Sequence, residues 1–179
     1  KQQLTKGNWE VRDVFLAKDK KTFYLTTTTT HPGNRNLYKL AVADAKLQPI
    51  LTKDGAYETS LSPDETRLLI RYSYKNKPWE LFLADNKANP ILDQITFSTT
   101  EAFNAYAWRT PEVINFKAQD GTTVNARLYK PEQSNANKAA IIFVHGAGYL
   151  QNAHNYWSTY HREYMFHNLL TDAGYTVLD

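Results

Sequence analysis

Lys18-Asp19-Lys20-Lys21 followed by Phe23-Tyr24-Leu25, and then Pro63-Asp64-Glu65-Thr66 followed by Leu68-Leu69-Ile70, read as one turn leading into one kind of strand, written twice. On the N-terminal side of each copy, Leu4-Thr5-Lys6 aligns with Leu51-Thr52-Lys53. That offset of about 47 residues falls in the range of propeller blades. On the C-terminal side, Asn36-Leu37-Tyr38-Lys39-Leu40 pairs with Trp79-Glu80-Leu81-Phe82-Leu83, each an alternating strand that would be the third of its blade. Each copy closes on a Pro-Ile step, Pro49-Ile50 and Pro90-Ile91. The strand stretches Thr22 to Thr30 and Arg67 to Tyr74 are rich in Thr, Tyr, Leu and Ile, which suit a pleated surface, and carry no helix signal. The pattern predicts two four-stranded antiparallel blades before about Ala107. Because a blade packs against neighbours on either side, it also predicts further structure ahead of Lys1. A free-standing β-sandwich fits the alternation alone as well.

After Trp108 the texture changes. Val113 to Ala118 and Val124 to Tyr129 flank Asp120-Gly121, a dipeptide that favours the positive-φ turn of a hairpin. Ala140-Ile141-Ile142-Phe143-Val144 is a continuous apolar run, expected of a parallel strand covered on both faces. Trp157 to Ala173 reads as a helix with Phe166, Leu169, Leu170 and Ala173 on its apolar face and Gly174 ending it. Tyr175 to Leu178 starts another strand. Strand, loop, helix and strand make a βαβ unit, so the expected class is mixed β and α/β.

Chemistry is sought first in the loop after the apolar strand, His145-Gly146-Ala147-Gly148. Small residues at the carboxyl end of a parallel strand let backbone N–H groups approach a ligand, although a plain tight turn needs the same residues. The nucleophile motif Gly-x-Ser-x-Gly is absent from the sequence. Ser60, Ser62, Ser73, Ser98, Ser134 and Ser158 lack the flanking glycines and are read as surface or turn residues. Glu163 and His167 share a helix face, with His161 and His154 nearby, but there is no His-Glu-x-x-His pattern, and the expectation is no metal and no cofactor. The threonines from Thr26 to Thr30 are read as simple β-formers.

Composition narrows the classes further. The 179 residues are 42% apolar, enough for a packed core, and the net charge of +3 comes from 21 basic and 18 acidic residues spread along the chain. No run of like charge suits nucleic acid, and no apolar run has the length of a membrane span. Aromatic residues, 13% of the chain, are spread over the expected strands, which favours blade packing over a base-stacking platform. Cysteine is absent, excluding disulfides and thiolate metal sites. The start, Lys1 to Glu10, lacks the apolar core of a secretion signal.

The stretch Pro32-Gly33-Asn34-Arg35-Asn36-Leu37-Tyr38-Lys39-Leu40 is similar to late propeller blades of the prolyl oligopeptidase family of serine peptidases, in its dipeptidyl peptidase IV-like branch. Pro111-Glu112-Val113 through Asp120-Gly121-Thr122 to Leu128-Tyr129-Lys130-Pro131 resembles the hairpin by which that family enters its hydrolase domain. Ile141-Ile142-Phe143-Val144-His145-Gly146-Ala147-Gly148 looks like the following strand and its His-Gly-Gly-Pro or Tyr-Ala-Gly-Pro loop. The resemblance implies the last two blades of a β-propeller over residues 1–107 and the start of an α/β-hydrolase domain over 108–179, cut before the nucleophile. It implies a serine-type peptidase acting on peptides by acyl transfer, with the Ser, Asp and His of the triad outside this chain and the chain alone inactive.

By the same resemblance His145 stands where the dipeptidyl peptidase branch has an oxyanion-donating tyrosine. His-Gly is the form of the acylaminoacyl-peptidase branch, in which the N–H of Gly146 is the donor. Ala147 and Gly148 replace the usual Gly-Pro. The residues that anchor a substrate's amino terminus would lie before Lys1. A periplasmic or secreted setting is implied, and room is left for a homodimer of the full-length protein. The rival readings are a non-catalytic propeller-type binding protein and another α/β-hydrolase such as an esterase.

Overall fold

The computed structural model describes residues 2–146 and 151–179. Its first sheet runs β1 (Val11–Leu16), β2 (Thr22–Thr27), β3 (Asn36–Ala41) and β4 (Leu47–Leu51), and its second β5 (Ala56–Leu61), β6 (Arg67–Tyr74), β7 (Lys77–Asp85) and β8 (Asp93–Gln94). Both are antiparallel meanders in chain order. The expected pair of four-stranded units is present, with β1 and β5 starting about 45 residues apart. The repeated turn has one chemistry in both copies. Asp19 accepts from the backbone N–H of Lys21 and Thr22, Asp64 accepts from Thr66 N–H, and the residue after each aspartate, Lys20 or Glu65, takes a positive φ of 55° or 59°.

The two sheets share one core. Tyr24, Leu37 and Ile50 of the first meet Tyr57, Leu68 and Ile70 of the second. Along β6 the pleat alternates cleanly, with Leu68 and Ile70 fully buried and Leu69 between them exposed. Each such buried aliphatic side chain contributes roughly 1.5–3 kcal/mol. A backbone clamp joins the sheets, since Arg35 N–H donates to Gly55 O at 2.9 Å and Tyr57 N–H to Arg35 O at 3.0 Å.

Two expectations for this half need correction. The strand foreseen to Thr30 ends at Thr27, because the next threonines spend their hydroxyls on the turn. Thr28 Oγ1 accepts from Glu10 N–H, and Thr30 Oγ1 donates to Asn36 Oδ1. The Pro-Ile steps are also unlike. Pro49-Ile50 lies in β4, an edge strand that tolerates a missing N–H, whereas Pro90-Ile91 is loop with Ile91 exposed.

A short helix that no sequence pattern announced, α1 (Glu101–Ala105), is capped by Thr100, whose hydroxyl accepts from Phe103 N–H. Then come β9 (Glu112–Lys117), β10 (Thr123–Tyr129), a 3-10 turn at Gln133–Asn135, β11 (Ala140–Ile142), α2 (His161–Asp172) and β12 (Thr176–Leu178). They form a third sheet in the order β11-β12-β10-β9, with β11 and β12 parallel across α2 and the other pairs antiparallel. The hairpin turn is at Asp120-Gly121 as expected, with Gly121 at φ 83°.

Within this chain β11 is the outermost strand of the third sheet, and the expected cover on both faces is not present, with Ile142 and Val144 67% and 82% exposed. The helix is shorter than foreseen, and its inward face is the foreseen one only in part. Leu170 packs against the core, joined by Tyr164, His167, Asn168 and Thr171, while Phe166 and Leu169 face solvent. Tyr164 packs with Trp108, Trp157, Tyr129 and Val177 into an aromatic core, so much of the chain's ring stacking lies outside the two blades. No described helix is long and apolar enough to cross a membrane.

Candidate functional site

The third sheet meets the first two at segment 151–160, which leads from the loop after β11 into α2. The segment is held from both sides by polar contacts. Asn155 N–H donates to Gly33 O at 2.9 Å, and its side-chain amide donates to Asn34 Oδ1 at 2.8 Å. Trp157 N–H donates to Ser73 Oγ at 2.7 Å. Asn34 is buried and reaches three elements at once. It donates to Thr30 Oγ1 and Asp54 Oδ1 and accepts from Gly55 N–H as well as from Asn155. Gly33 is required there for space. A Cβ on it would lie 2.8 Å from His154 Cα and 2.9 Å from Ala153 O, both backbone atoms.

From the other side Arg127, on β10 and fully buried, gathers the segment's carbonyls. Its Nε and Nη2 donate to His154 O at 2.9 and 2.6 Å, and Nη2 also donates to Tyr156 O at 2.6 Å. Nη2 lies 2.9 Å from His154 Nδ1, and since a guanidinium only donates, that nitrogen accepts and carries no proton. Burial first, and then the charges of Arg127 and Arg35, push the His154 pKa down to about 2, so the ring is neutral at ordinary pH. Arg127 forms no ion pair among the described residues.

Of the foreseen site residues, His145 and Gly146 follow β11, whose pairing with β12 continues through Phe143 N–H to Leu178 O at 2.8 Å. The His145 ring stacks on Tyr160 with centroids 5.9 Å apart, and its Nδ1 lies 2.9 Å from Gly146 O. A Cβ on Gly146 would meet no atom of the described residues within 4 Å. Ala147 and Gly148 lie outside the described residues. Two of the serines read as surface or turn residues are buried, Ser73 and Ser158. Ser73 Oγ takes the Trp157 N–H while donating to Lys77 O. His154 and His167 are buried in separate environments, His154 against Arg127 and Tyr156 and His167 between Tyr129 and Phe143. Among the described residues no three acidic, His or Cys side chains are grouped to hold a metal. Burial lowers the His167 pKa as well.

Between the first two sheets and the segment opens a cleft of about 580 Å³, lined by Arg12, Arg35, Arg71 and Trp79 on the sheet side and by Tyr156 and Ser158 on the other. The sequence reading missed Arg127, Asn155 and the arginines of this cleft. Arg127 lies in an ordinary-looking strand run, and nothing local distinguishes a buried arginine from an exposed one.

The family model described as the dipeptidyl peptidase IV (DPP IV) N-terminal region matches residues 1–79. Over that stretch the chain is similar to the dipeptidyl peptidase IV-like family. Among its relatives, uncharacterized peptidase YuxL of Bacillus subtilis (strain 168) is 25% identical over 175 residues, covering 96% of this chain and 25% of the relative. Dipeptidyl peptidase 4 of Trichophyton rubrum is 26% identical over 163 residues, covering 87% of this chain and 21% of the relative. The crystal structure of Porphyromonas gingivalis dipeptidyl peptidase 4 superposes with a TM-score of 0.77 over 99% of this chain and 25% of that one, at 18% identity. That likeness shows the fold. The chain thus spans a quarter or less of the length of these relatives.

Proposed function

We propose that the chain is part of a serine peptidase that hydrolyses peptides by acyl transfer, with residues 1–107 as propeller blades and 108–179 opening an α/β-hydrolase domain. The observation that carries this reading is the position of His145-Gly146 at the carboxyl end of a parallel strand, followed by a segment latched onto the tips of the first two sheets. Such strand ends are where α/β sheets bind substrates. The Ser, Asp and His of the triad would come from elsewhere in the protein. Attack on the scissile carbonyl places negative charge on its oxygen, and the backbone N–H of Gly146, which donates to no described backbone carbonyl, is suited to receive it.

The side chain of His145 is a poorer donor. A carbonyl only accepts, so Nδ1 is the donor in its contact with Gly146 O and is already engaged there. His145→Ala in the full-length protein should therefore change kcat by only a few-fold, whereas removing a true oxyanion donor costs roughly 100-fold or more.

The decisive test is turnover of a dipeptidyl chromogenic substrate with proline in second place, together with labelling by a serine-directed phosphonate. Turnover with stoichiometric labelling outside this chain is expected. Neither turnover nor labelling would favour a non-catalytic binding protein, and a 100-fold fall in kcat for His145→Ala at unchanged KM would make the ring the donor.

A further inference from the structure

We propose that Arg35 is a carboxylate-binding residue in the cleft between the first two sheets and segment 151–160, and that it recognises a carboxylate of the peptide that the protein cleaves. The inference rests on the peptidase reading only for the identity of the ligand as a peptide. Three arginines and two glutamates face the cleft. Arg12 pairs with Glu10 at 3.0 Å and Arg71 with Glu58 at 2.7 Å, which leaves the charge of Arg35 unbalanced. Asp13 lines the neighbouring cleft of about 380 Å³, which Arg35 also lines, and forms no ion pair with it.

The Arg35 guanidinium is half-buried and donates no hydrogen bond to any described residue. Five N–H donors withdrawn partly from water with no protein acceptor are costly unless a ligand takes them, and a guanidinium fork matches a carboxylate in bidentate geometry. The side chain is also preorganised. Its backbone is clamped to Gly55 and Tyr57, its neighbours Asn34 and Asn36 are fixed by side-chain hydrogen bonds, and its guanidinium lies 4.8 Å from the centre of the Tyr156 ring. Tyr156 belongs to segment 151–160, so the fork and the segment line one cleft.

A peptide can present a carboxylate at its C-terminus or on an acidic side chain, and the test separates them. In the full-length protein, kcat/KM is measured for a short peptide acid against its C-terminal amide, and for an amidated peptide carrying Glu against the same peptide carrying Gln. One of the two pairs should show a preference for the carboxylate of roughly 10- to 100-fold. Arg35→Gln should bring that ratio close to one, and Arg35→Lys, which keeps the charge but loses the fork, should leave an intermediate ratio. No preference in either pair, or a preference that Arg35→Gln leaves intact, overturns the proposal. If the protein hydrolyses none of these peptides, the peptidase reading fails, and calorimetric binding of the same pairs decides the site separately. Tighter binding of the carboxylate form that Arg35→Gln abolishes sustains the site, and equal affinity for both forms overturns it.

Discussion

Gly33→Ala tests the junction with a single methyl group. The added Cβ would stand 2.8 Å from His154 Cα and 2.9 Å from Ala153 O, where ordinary contacts need 3.4 Å or more, so the facing chain must retreat by about half an ångström or more. Neither obstacle is the free end of a side chain. The segment cannot give way locally, because Arg127 holds the His154 and Tyr156 carbonyls from behind. Overpacking of this kind costs about 1–3 kcal/mol, and the retreat stretches the Asn155 N–H bond to Gly33 O and the Asn155 bond to Asn34 together. Gly33 is not at a positive φ, so the cost is steric and not conformational. Hydrogen exchange at the amides of Asn155 and Trp157 is the assay, and a local loss of that size accelerates it roughly 5- to 150-fold. Strands β2 and β6 should keep their protection. Unchanged exchange at both amides, with stability also unchanged, would refute the account of Gly33 as a close-approach residue.

Acid should loosen the same junction. His154 has a folded pKa pushed down to about 2 against about 6.5 unfolded, so stability is fully present above pH 6.5 and falls below it by up to about 1.4 kcal/mol per pH unit. His154→Gln should flatten a plot of denaturation midpoint against pH below 6.5, though not wholly, because His167 is shifted in the same direction. Ser73→Ala leaves the half-buried Trp157 N–H without its acceptor and should cost about 1 kcal/mol or more by chemical denaturation. Lys20→Gly relieves a left-handed backbone at φ 55° and should raise the thermal midpoint, for a gain of about 0.5–1 kcal/mol.

The blades were legible because their signals are local and repeated. The turn aspartates recur at a fixed offset, and β6 alternates as a half-buried strand should. The Asp-Gly hairpin and the glycine that ends α2 were legible for the same reason, since each needs a positive φ. What failed depended on distant partners. The apolar stripe of Phe166 and Leu169 suggested the buried face of α2, but Tyr164, His167, Asn168 and Thr171 face the sheet, where Thr171 donates to His167 O and Asn168 donates to Tyr164 O while accepting from Arg109 N–H. Ser73 looked like a surface serine until segment 151–160 supplied its N–H donor from 84 residues away. The candidate site was half legible. His145 and Gly146 stood out because they follow an apolar strand, while the arginines that line the cleft come from three separate strands or loops.

The polarity of the junction bears on what it can do. An interface meant only to fuse two bodies would bury apolar side chains, which pack without directional demands and tolerate sliding. Here Asn34, Asn155, Ser73 and Arg127 meet instead, and each bond is made at one register only. A one-residue slip of segment 151–160 would strand the Trp157 N–H, the Asn155 amide and two carbonyls away from water, at about 1–3 kcal/mol for each group. Such an arrangement yields modest net stability but a large penalty for misplacement, so it fixes position more than it adds strength. The segment it fixes, 151–160, ends at Tyr160, on which the His145 ring stacks. A peptide entering the cleft would meet Arg35 on the sheet side and Tyr156 on the segment side, held in one fixed relation to each other.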